Sequence, residues 1–503
     1  MAKLDYIKEI LTSNIYDMAC ITPLEKAKYL SETYGNTIYL KREDLQVSNS
    51  FKIRGVYNKI NNCILAGKKK FICASTGNHA YAVTIVSKKF GCPVITVMPK
   101  TTSPATVLTI EKMGAEVILH GDNYDDALSI AKAYGKDYYF VESYDDKDII
   151  IGSGTISVEI TNQLGSKMRD LTAIFVPVGG GALIAGISLY IKELYPKVKI
   201  IGVGLKDACA MDLSLKAKTP IELKKSNTFV TSVAVKHIGT EAFKLCQKYV
   251  DEIILVNEDE ICGMIKHLYN DIHSIVEPAC AMAMMGLAKY IDRERSINNT
   301  FAVVLSGNNL EFEKLKYITE RANIGDKSEI LVRIDLEETP GSLIQLLRHI
   351  DNDSVRESNI SKFHYRYQER KIAKLYVGFS TECELGTQSM MEIINQKYKV
   401  EPLDSKIINQ YIPYLIGGSN KKIKDEYIFV ITLPEKSGTL LNFLARTEHM
   451  FNITMFHYRS NGDTYGNIIL GILLTTTYTE FIKTLNKITF ISFTDETLNN
   501  LFN

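Results

Sequence analysis

From about residue 37 to 320, short β-branched runs alternate with longer stretches whose apolar residues recur at helical spacing. The runs predict strands at Thr37–Leu40, Phe71–Ala74, Val94–Met98, Glu116–Leu119, Tyr138–Val141, Ala173–Pro177, Lys199–Val203, Ile253–Val256 and Ala302–Leu305. The intervening periodicity predicts helices that include Ala80–Lys89, Thr106–Met113, Leu183–Leu194 and Glu277–Ile291. Such alternation favours parallel strands covered by helices, and nine strands exceed one simple unit. Two α/β lobes with a cleft between them are therefore expected.

After a charged, helix-like stretch at Phe312–Asp326 the pattern changes to hairpin-like strands and an internal repeat. Leu336-Glu337-Glu338-Thr339-Pro340-Gly341-Ser342-Leu343 answers Leu433-Pro434-Glu435-Lys436-Ser437-Gly438-Thr439-Leu440. Further on, Asn359-Ile360-Ser361-Lys362-Phe363-His364-Tyr365-Arg366 answers Asn452-Ile453-Thr454-Met455-Phe456-His457-Tyr458-Arg459, six of eight positions being identical. Each copy reads strand, turn, helix, then two strands, which predicts a βαββ-type α+β module used twice. The expected division is 1–325 for the two-lobed part, with modules at 326–402 and 424–497.

With 503 residues, 46% of them hydrophobic, the chain can build several cores. Fifty-nine Lys and Arg against 58 Asp and Glu leave a formal charge of +1, so no charge surplus points to nucleic acid or an anionic membrane as partner. Nine cysteines without a C-x-x-C pair read as thiols in a reducing compartment, with no disulfide framework and no zinc site. Asp5, Glu9 and Asp17 break any secretory or transit pattern at the start, and no apolar run approaches the ~20 residues that span a bilayer. A cytoplasmic protein acting on a small molecule is expected.

Four segments carry candidate chemistry. In Asn49-Ser50-Phe51-Lys52-Ile53-Arg54, a lysine flanked by apolar residues at a helix start is desolvated and near a positive dipole end, and both effects lower its pKa. Taken alone, Lys52 reads more readily as an ordinary surface lysine of an amphipathic helix, as most lysines are. Ser75-Thr76-Gly77-Asn78-His79 lies between a strand and a helix, a turn suited to a carboxylate or simply a capped helix start. Val178-Gly179-Gly180-Gly181-Ala182-Leu183 aims backbone N–H groups at one point ahead of a helix, which suits a phosphate monoester. Neither a Walker lysine nor G-x-G-x-x-G spacing accompanies it. Leu305-Ser306-Gly307-Asn308-Asn309 again ends a strand, the edge at which ligands gather in parallel α/β sheets. Glu277 opens a helix and reads either as a carboxylate of the same wall or as a first-turn acid complementing the dipole.

In this order the four segments resemble the fold type II pyridoxal-phosphate enzymes, whose catalytic domain is tryptophan synthase β-like, and most of all the biosynthetic threonine dehydratases (threonine ammonia-lyases). The resemblance extends from Thr22-Pro23-Leu24 and Lys41-Arg42-Glu43-Asp44 through the repeats, which look like that family's ACT-like regulatory modules. It implies pyridoxal 5'-phosphate as cofactor, with Lys52 as Schiff-base lysine and general base. By the same likeness Asn78 lies beside the phenolic oxygen, Gly179, Gly180, Gly181, Ala182 and Leu183 form the phosphate cradle, and Ser306 faces the pyridine nitrogen. Ser75, Thr76, Gly77, Asn78 and His79 would receive the carboxylate of L-threonine. A neutral hydroxyl at the ring nitrogen favours prompt β-elimination over transamination.

The resemblance implies isoleucine as inhibitor and valine as antagonist, coupled through a homotetramer, and in the repeats Phe363, Tyr365, Arg366, Phe456, Tyr458 and Arg459 are effector-site candidates. The sequence departs from the family pattern at Ala182, where a fourth glycine is usual, and at Thr76, Tyr81 and Ala82 around the carboxylate loop. Competing readings are a serine dehydratase, racemase or β-replacement enzyme of the same fold, or a non-catalytic amino-acid-sensing relic. The paired repeats argue against the first group, and joint retention of Lys52, Asn78, Gly179–Gly181 and Ser306 argues against the second.

Overall fold

The structure is a computed structural model that describes residues 3–134, 137–206, 208–224, 229–337, 342–350, 359–364, 371–381, 384–403, 427–434, 443, 446–447, 450–459, 465–488 and 492–494. The chain forms two compact units, Met1–Phe312 and Glu313–Asn503. The helix Lys314–Gly325 falls in the second of them.

The first unit holds two sheets. In the larger, strands run in the order Leu24–Lys26, Thr37–Arg42, Thr300–Leu305, Leu171–Pro177, Lys199–Leu205 and Glu252–Val256, with only the first pair antiparallel. In the smaller, Glu116–Leu119, Val94–Met98, Phe71–Ala74 and Tyr139–Phe140 are all parallel. The nine predicted strands are present with ends shifted by at most two residues, and the short antiparallel edge Leu24–Lys26 is added. Three residues give that edge no readable alternation.

Local chemistry sets the helix ends. Pro104 occupies the first turn of Pro104–Met113, where its missing N–H costs no hydrogen bond, and Gly114 closes that helix in the left-handed region. Asn257 and Glu260 form a reciprocal capping box at Glu258–Ile272. The helix Lys147–Leu164 was not anticipated, because Gly152 and Gly154 interrupt its apolar period. Packing explains them: a Cβ at Gly152 would lie 2.5 Å from the Arg54 carbonyl oxygen and 2.6 Å from Gly55 Cα. Helices Lys52–Leu65 and Lys147–Leu164 therefore touch backbone to backbone.

That contact carries a buried ionic cluster. Arg54, fully buried, donates to Glu43 at 2.7 Å and to Glu159 at 2.6 Å, and Lys41 meets Glu159 at 2.6 Å. Burial alone would raise the Glu159 carboxyl, but the hydrogen bond and charge of Arg54, with Lys41, hold it below the ordinary carboxylate range. The two cations and two anions neutralise one another, and Thr22 and Gln163 occupy remaining hydrogen-bonding positions.

In the second unit, the first module runs strand Glu329–Glu337, helix Ser342–Ile350, strands Asn359–His364 and Ile372–Ser380, helix Glu384–Asn395 and strand Lys399–Pro402. The expected βαββ order is thus extended by a further helix and strand. Val332, Ile334, Leu346, Leu375, Phe379, Met390 and Ile394 form its core. The second module repeats the antiparallel sheet with Phe451–Arg459, Tyr465–Leu474, Tyr427–Pro434 and Ser492–Thr494, and its predicted helix at 440–446 lies mostly outside the described residues. Its own core centres on Phe429, Phe443, Ile468, Leu470 and Phe481.

The repeat is visible in backbone detail. The register shifts between Ile360 and Lys362 in one module and between Ile453 and Met455 in the other, at matching positions of the repeated octapeptides. Bulges re-aim the residues that follow them. Phe363 lies on Asn359–His364, and Phe456, Tyr458 and Arg459 lie on Phe451–Arg459, while Tyr365 and Arg366 are outside the described residues.

Replacing Arg54 by leucine leaves Glu43 buried without its ion-pair partner and Glu159 with Lys41 as its remaining countercharge. The cost expected for breaking such a buried pair is about 3–5 kcal/mol, read as an earlier urea midpoint for the first unit.

Candidate active site

The helix Lys52–Leu65 begins where the chain is tied to the end of strand Thr300–Leu305. Phe51 N–H donates to Ser306 O at 3.0 Å, Asn308 N–H donates to Asn49 O at 2.9 Å, and Ser50 bridges Gly307. Asn49 takes φ +55°, a left-handed angle that asparagine tolerates better than most side chains. Together with the Arg54 cluster, these ties fix Lys52 from both sides.

Lys52 lines a cavity of about 460 Å³, including its open mouth, whose walls also hold Asn78, Gly179, Gly180, Gly181, Ala182, Leu183 and Ser306. The structure thus brings together the cofactor-site candidates from all four segments. Lys52 Nζ donates to the Ser143 carbonyl at 2.7 Å. Burial pulls its pKa down to about 8, and Glu277 opposes that shift.

The glycine turn has a steric reason. A Cβ at Gly180 would fall 2.2 Å from the Tyr144 ring, and Gly181 sits at φ +103° just before the helix Ala182–Leu194. Ala182 already belongs to that helix, so the departure from a fourth glycine needs no left-handed angle. Glycines at a helix N-terminus, free of side chains, fit a phosphate. A desolvated lysine facing them fits an aldehyde carbon. The residues present therefore fit pyridoxal 5'-phosphate.

Asn78 is gripped on both sides: its Nδ2 donates to Glu277 at 2.8 Å, and its Oδ1 accepts from Asn309 at 2.5 Å. Ser75, Thr76, Gly77 and His79 lie in the same turn but not in the cavity wall. Ser75 Oγ accepts from Gly77 N–H at 3.1 Å, and a Cβ at Gly77 would meet nothing within 4 Å, so this side of the turn is open. His79 is buried with Nε2 3.0 Å from the Val141 carbonyl, which requires the proton on Nε2. Burial first, then the charge of Lys52, pulls its pKa down to about 3, so the ring stays neutral. The Tyr81 hydroxyl turns toward Thr106 and Thr109.

Sequence reasoning passed over Tyr144 and Ser232, which stand in no motif, and left Glu277 undecided. All three line the cavity. The Glu277-Pro278 helix start was the one available signal. Burial raises the Glu277 carboxyl, against the pull of hydrogen bonds from Asn78, Ser232 and Ser306 and the charge of Lys52.

A two-lobed α/β fold with a half-buried lysine sharing a cavity with a glycine turn defines a class of enzyme built around a phosphate-bearing aldehyde cofactor. Residues 16–307 match the pyridoxal-phosphate dependent enzymes, and residues 320–410 and 417–503 each match the C-terminal regulatory domain of threonine dehydratase. The chain belongs to the pyridoxal-phosphate dependent enzyme family, and its two terminal modules are regulatory domains of the threonine dehydratase type. It is 37% identical to a biosynthetic L-threonine dehydratase of Pasteurella multocida over 93% of this chain and 91% of that one. It is 40% identical to the chloroplastic biosynthetic threonine dehydratase of Arabidopsis thaliana, over 93% of this chain and 78% of that one. Among solved structures, the processed threonine deaminase isoform 2 of Solanum lycopersicum matches with TM-score 0.61 and 38% identity, covering 64% of this chain and 93% of that one. Maize serine racemase matches with TM-score 0.57 and 25% identity over 62% of this chain and 94% of that one. Its cofactor is pyridoxal 5'-phosphate, and the fold is the fold type II arrangement expected.

Competitive acetylation of the cofactor-free protein should show Lys52 reacting with a midpoint near the value of about 8 that burial imposes, below the 10.5 of an ordinary lysine. Gly180→Ala should displace Tyr144 and weaken cofactor binding by roughly tenfold or more, the loss of about one charge-assisted hydrogen bond, measured by titrating the apoprotein with pyridoxal phosphate.

Proposed function

We propose that this protein catalyses the dehydration and deamination of L-threonine to 2-oxobutanoate and ammonia, the first committed step of isoleucine biosynthesis, under feedback control by isoleucine. The observation that carries the reading is the single cavity in which the desolvated Lys52 amine faces the Gly179–Gly181 turn. Similarity across 93% of the chain to biosynthetic threonine dehydratases supports the substrate, and the paired regulatory domains favour it over serine racemisation or β-replacement.

The chain's own residues divide the work. Backbone N–H groups of Gly179–Leu183, at the positive end of the following helix, would hold the phosphate without adding a titratable group. Asn78, its amide fixed by Asn309 and Glu277, would orient the phenolic oxygen. When bound, the cofactor withdraws the electron pair released as the substrate's Cα–H bond breaks. Lys52 Nζ would anchor the cofactor and then take the Cα proton, and a pKa of about 8 leaves a useful share of the amine neutral near physiological pH. Ser306 would face the ring nitrogen as a neutral hydroxyl. The turn Ser75–His79 would receive the substrate carboxylate through backbone N–H groups on its open side, with His79 held neutral behind it.

The terminal modules would bind isoleucine as inhibitor and valine as antagonist. The matched register shifts ahead of Phe363 and of Phe456, Tyr458 and Arg459 support this reading, since such irregularities are over-represented beside binding sites. A homotetramer in the cytoplasm completes the reading, in keeping with free thiols at the eight described cysteines. Among the described residues no helix is long and apolar enough to cross a membrane.

The purified protein should show an absorption band at roughly 410–420 nm, the region of a lysine-linked pyridoxal phosphate, and release 2-oxobutanoate from threonine faster than pyruvate from serine. Lys52→Ala should lose both. Threonine turnover undiminished in that variant would refute the assignment of Lys52, and no band after adding pyridoxal phosphate would refute the activity.

A further inference from the structure

Ser143, Tyr144 and Asp145 lie between the edge strand Tyr139–Phe140 of the smaller sheet and helix Lys147–Leu164, and each is engaged around the cavity. The Ser143 carbonyl takes the Lys52 hydrogen at 2.7 Å. The Tyr144 ring lies against Gly180, and its hydroxyl donates to the His237 carbonyl at 3.1 Å. Asp145 Oδ1 accepts from the Glu241 N–H at 3.2 Å, in the first turn of helix Thr240–Tyr249.

His237 belongs to the segment Thr231–Gly239, which leads into that helix and lies beside the glycine turn. Ser232 and Val233 form part of the cavity wall, and a Cβ at Gly179 would fall 2.9 Å from Val233 Cα. Gly239 N–H donates to the Gly180 carbonyl at 3.0 Å. The segment therefore closes one side of the phosphate cradle. Val233 and Ile238 are buried, whereas the stretch between them, Ala234 to His237, is half-buried or exposed. Polar ties hold this middle stretch. Leu223 N–H donates to the Lys236 carbonyl at 3.0 Å, the His237 ring meets Glu222 at 3.3 Å, and Lys236 Nζ meets Asp125 Oδ2 at 2.7 Å.

The Lys236–Asp125 pair crosses between lobes. Asp125 stands on helix Tyr124–Ala133, whose Ala127 and Ala131 pack with Ile72, Ala74, Ile95 and Val97 of the smaller sheet. The segment itself follows strand Lys199–Leu205 of the larger sheet, and helix Thr240–Tyr249 packs on helix Ala182–Leu194 behind the glycine turn. The rest of the cradle is backbone locked into a strand end and a helix start. Only the Ala234–His237 stretch is held mainly by polar ties near solvent, with Val233 and Ile238 as apolar anchors at its ends.

We propose that Tyr144 and Asp125 latch the segment Thr231–Gly239 over the phosphate cradle, so that the cofactor's phosphate enters and leaves when these two ties release. The proposal rests on the reading that Gly179–Leu183 hold that phosphate. A latch of this kind gates passage, as closing segments of active sites do. Because only the open form exchanges ligand, both entry and exit scale with the fraction that is open. Breaking a tie therefore speeds both. A side chain that merely touched the bound phosphate would change exit alone.

The test uses pyridoxamine 5'-phosphate, which carries the phosphate but no aldehyde and so reports on the cradle without the lysine linkage. Stopped-flow fluorescence gives its binding and release rates for the natural protein, for Lys236→Met and for Tyr144→Phe, which keeps the ring against Gly180. Each variant should bind and release about two- to fivefold faster, the scale of one exposed ion pair or one neutral hydrogen bond. The double variant should exceed either. Hydrogen exchange of the peptide spanning Thr231–Gly239 should quicken in the unloaded variants while that of helix Lys147–Leu164 stays as in the natural protein, and this decides the matter alone if a variant does not load. Faster release with unchanged binding, unaltered exchange in Thr231–Gly239, or exchange that quickens equally in both peptides overturns the proposal. A natural protein that takes up no pyridoxamine phosphate defeats the functional reading instead.

Discussion

A lysine amine buried with a backbone carbonyl to receive its hydrogen is costly, because its charged form lacks both water and a hydrogen-bonded carboxylate. The surrounding structure meets that cost by fixing the helix on which the lysine stands. Two residues on, Arg54 is locked between Glu43 and Glu159, and one residue before, Phe51 is tied to Ser306. Gly152 lets the helix behind come close enough for Glu159 to reach Arg54. The four-charge cluster neutralises itself, so it holds the position rigidly without adding net charge beneath Lys52. The lowered pKa then follows from desolvation, with Glu277 as the charge that moderates it.

The polar groups of the cavity form a connected set. Asn309 holds Asn78 and Asn78 meets Glu277, whose carboxyl shares the cavity wall with Ser232 and Ser306. These residues come from four places in the chain. Such networks rigidify a site when every member is paired. The glycine turn on the opposite wall offers backbone donors and no titratable side chain, so anion binding there does not disturb the proton arrangement around Lys52. His79 illustrates the same separation: its proton is committed to Val141, leaving the turn's backbone as the polar surface available on the open side.

The strand order of a βα alternation was readable because each buried parallel strand is a compact β-branched run, and all nine appear in the structure. Asn78, Gly179–Leu183 and Ser306 stood out because they lie at strand ends followed by turns or helices, where local sequence reports local geometry, whereas Lys52, at a helix start, stood out only through the resemblance of the four segments in order. Lys147–Leu164 was not readable, since its glycines serve contacts with residues distant in the chain, Gly152 with Arg54 and Gly55 and Gly154 with Ile10 and Gly186. Tyr144 and Ser232 escaped for the same reason: the fold brings them to the cavity, and nothing in their neighbours marks them. Glu277 had a visible helix start, yet only the burial around it separates a dipole-complementing acid from one facing a lysine. In the terminal modules the repeated octapeptides revealed the duplication, and the matched bulges show that backbone irregularity was duplicated with them.

The central claim is that the desolvated amine at the start of helix Lys52–Leu65 anchors the cofactor. Borohydride reduction of the pyridoxal-phosphate-loaded protein, followed by proteolysis and mass spectrometry, tests it directly. A phosphopyridoxyl mass on the peptide containing Lys52, at about one per chain, is the result the account predicts. The same mass on another lysine, with the Lys52 peptide unmodified, would contradict it.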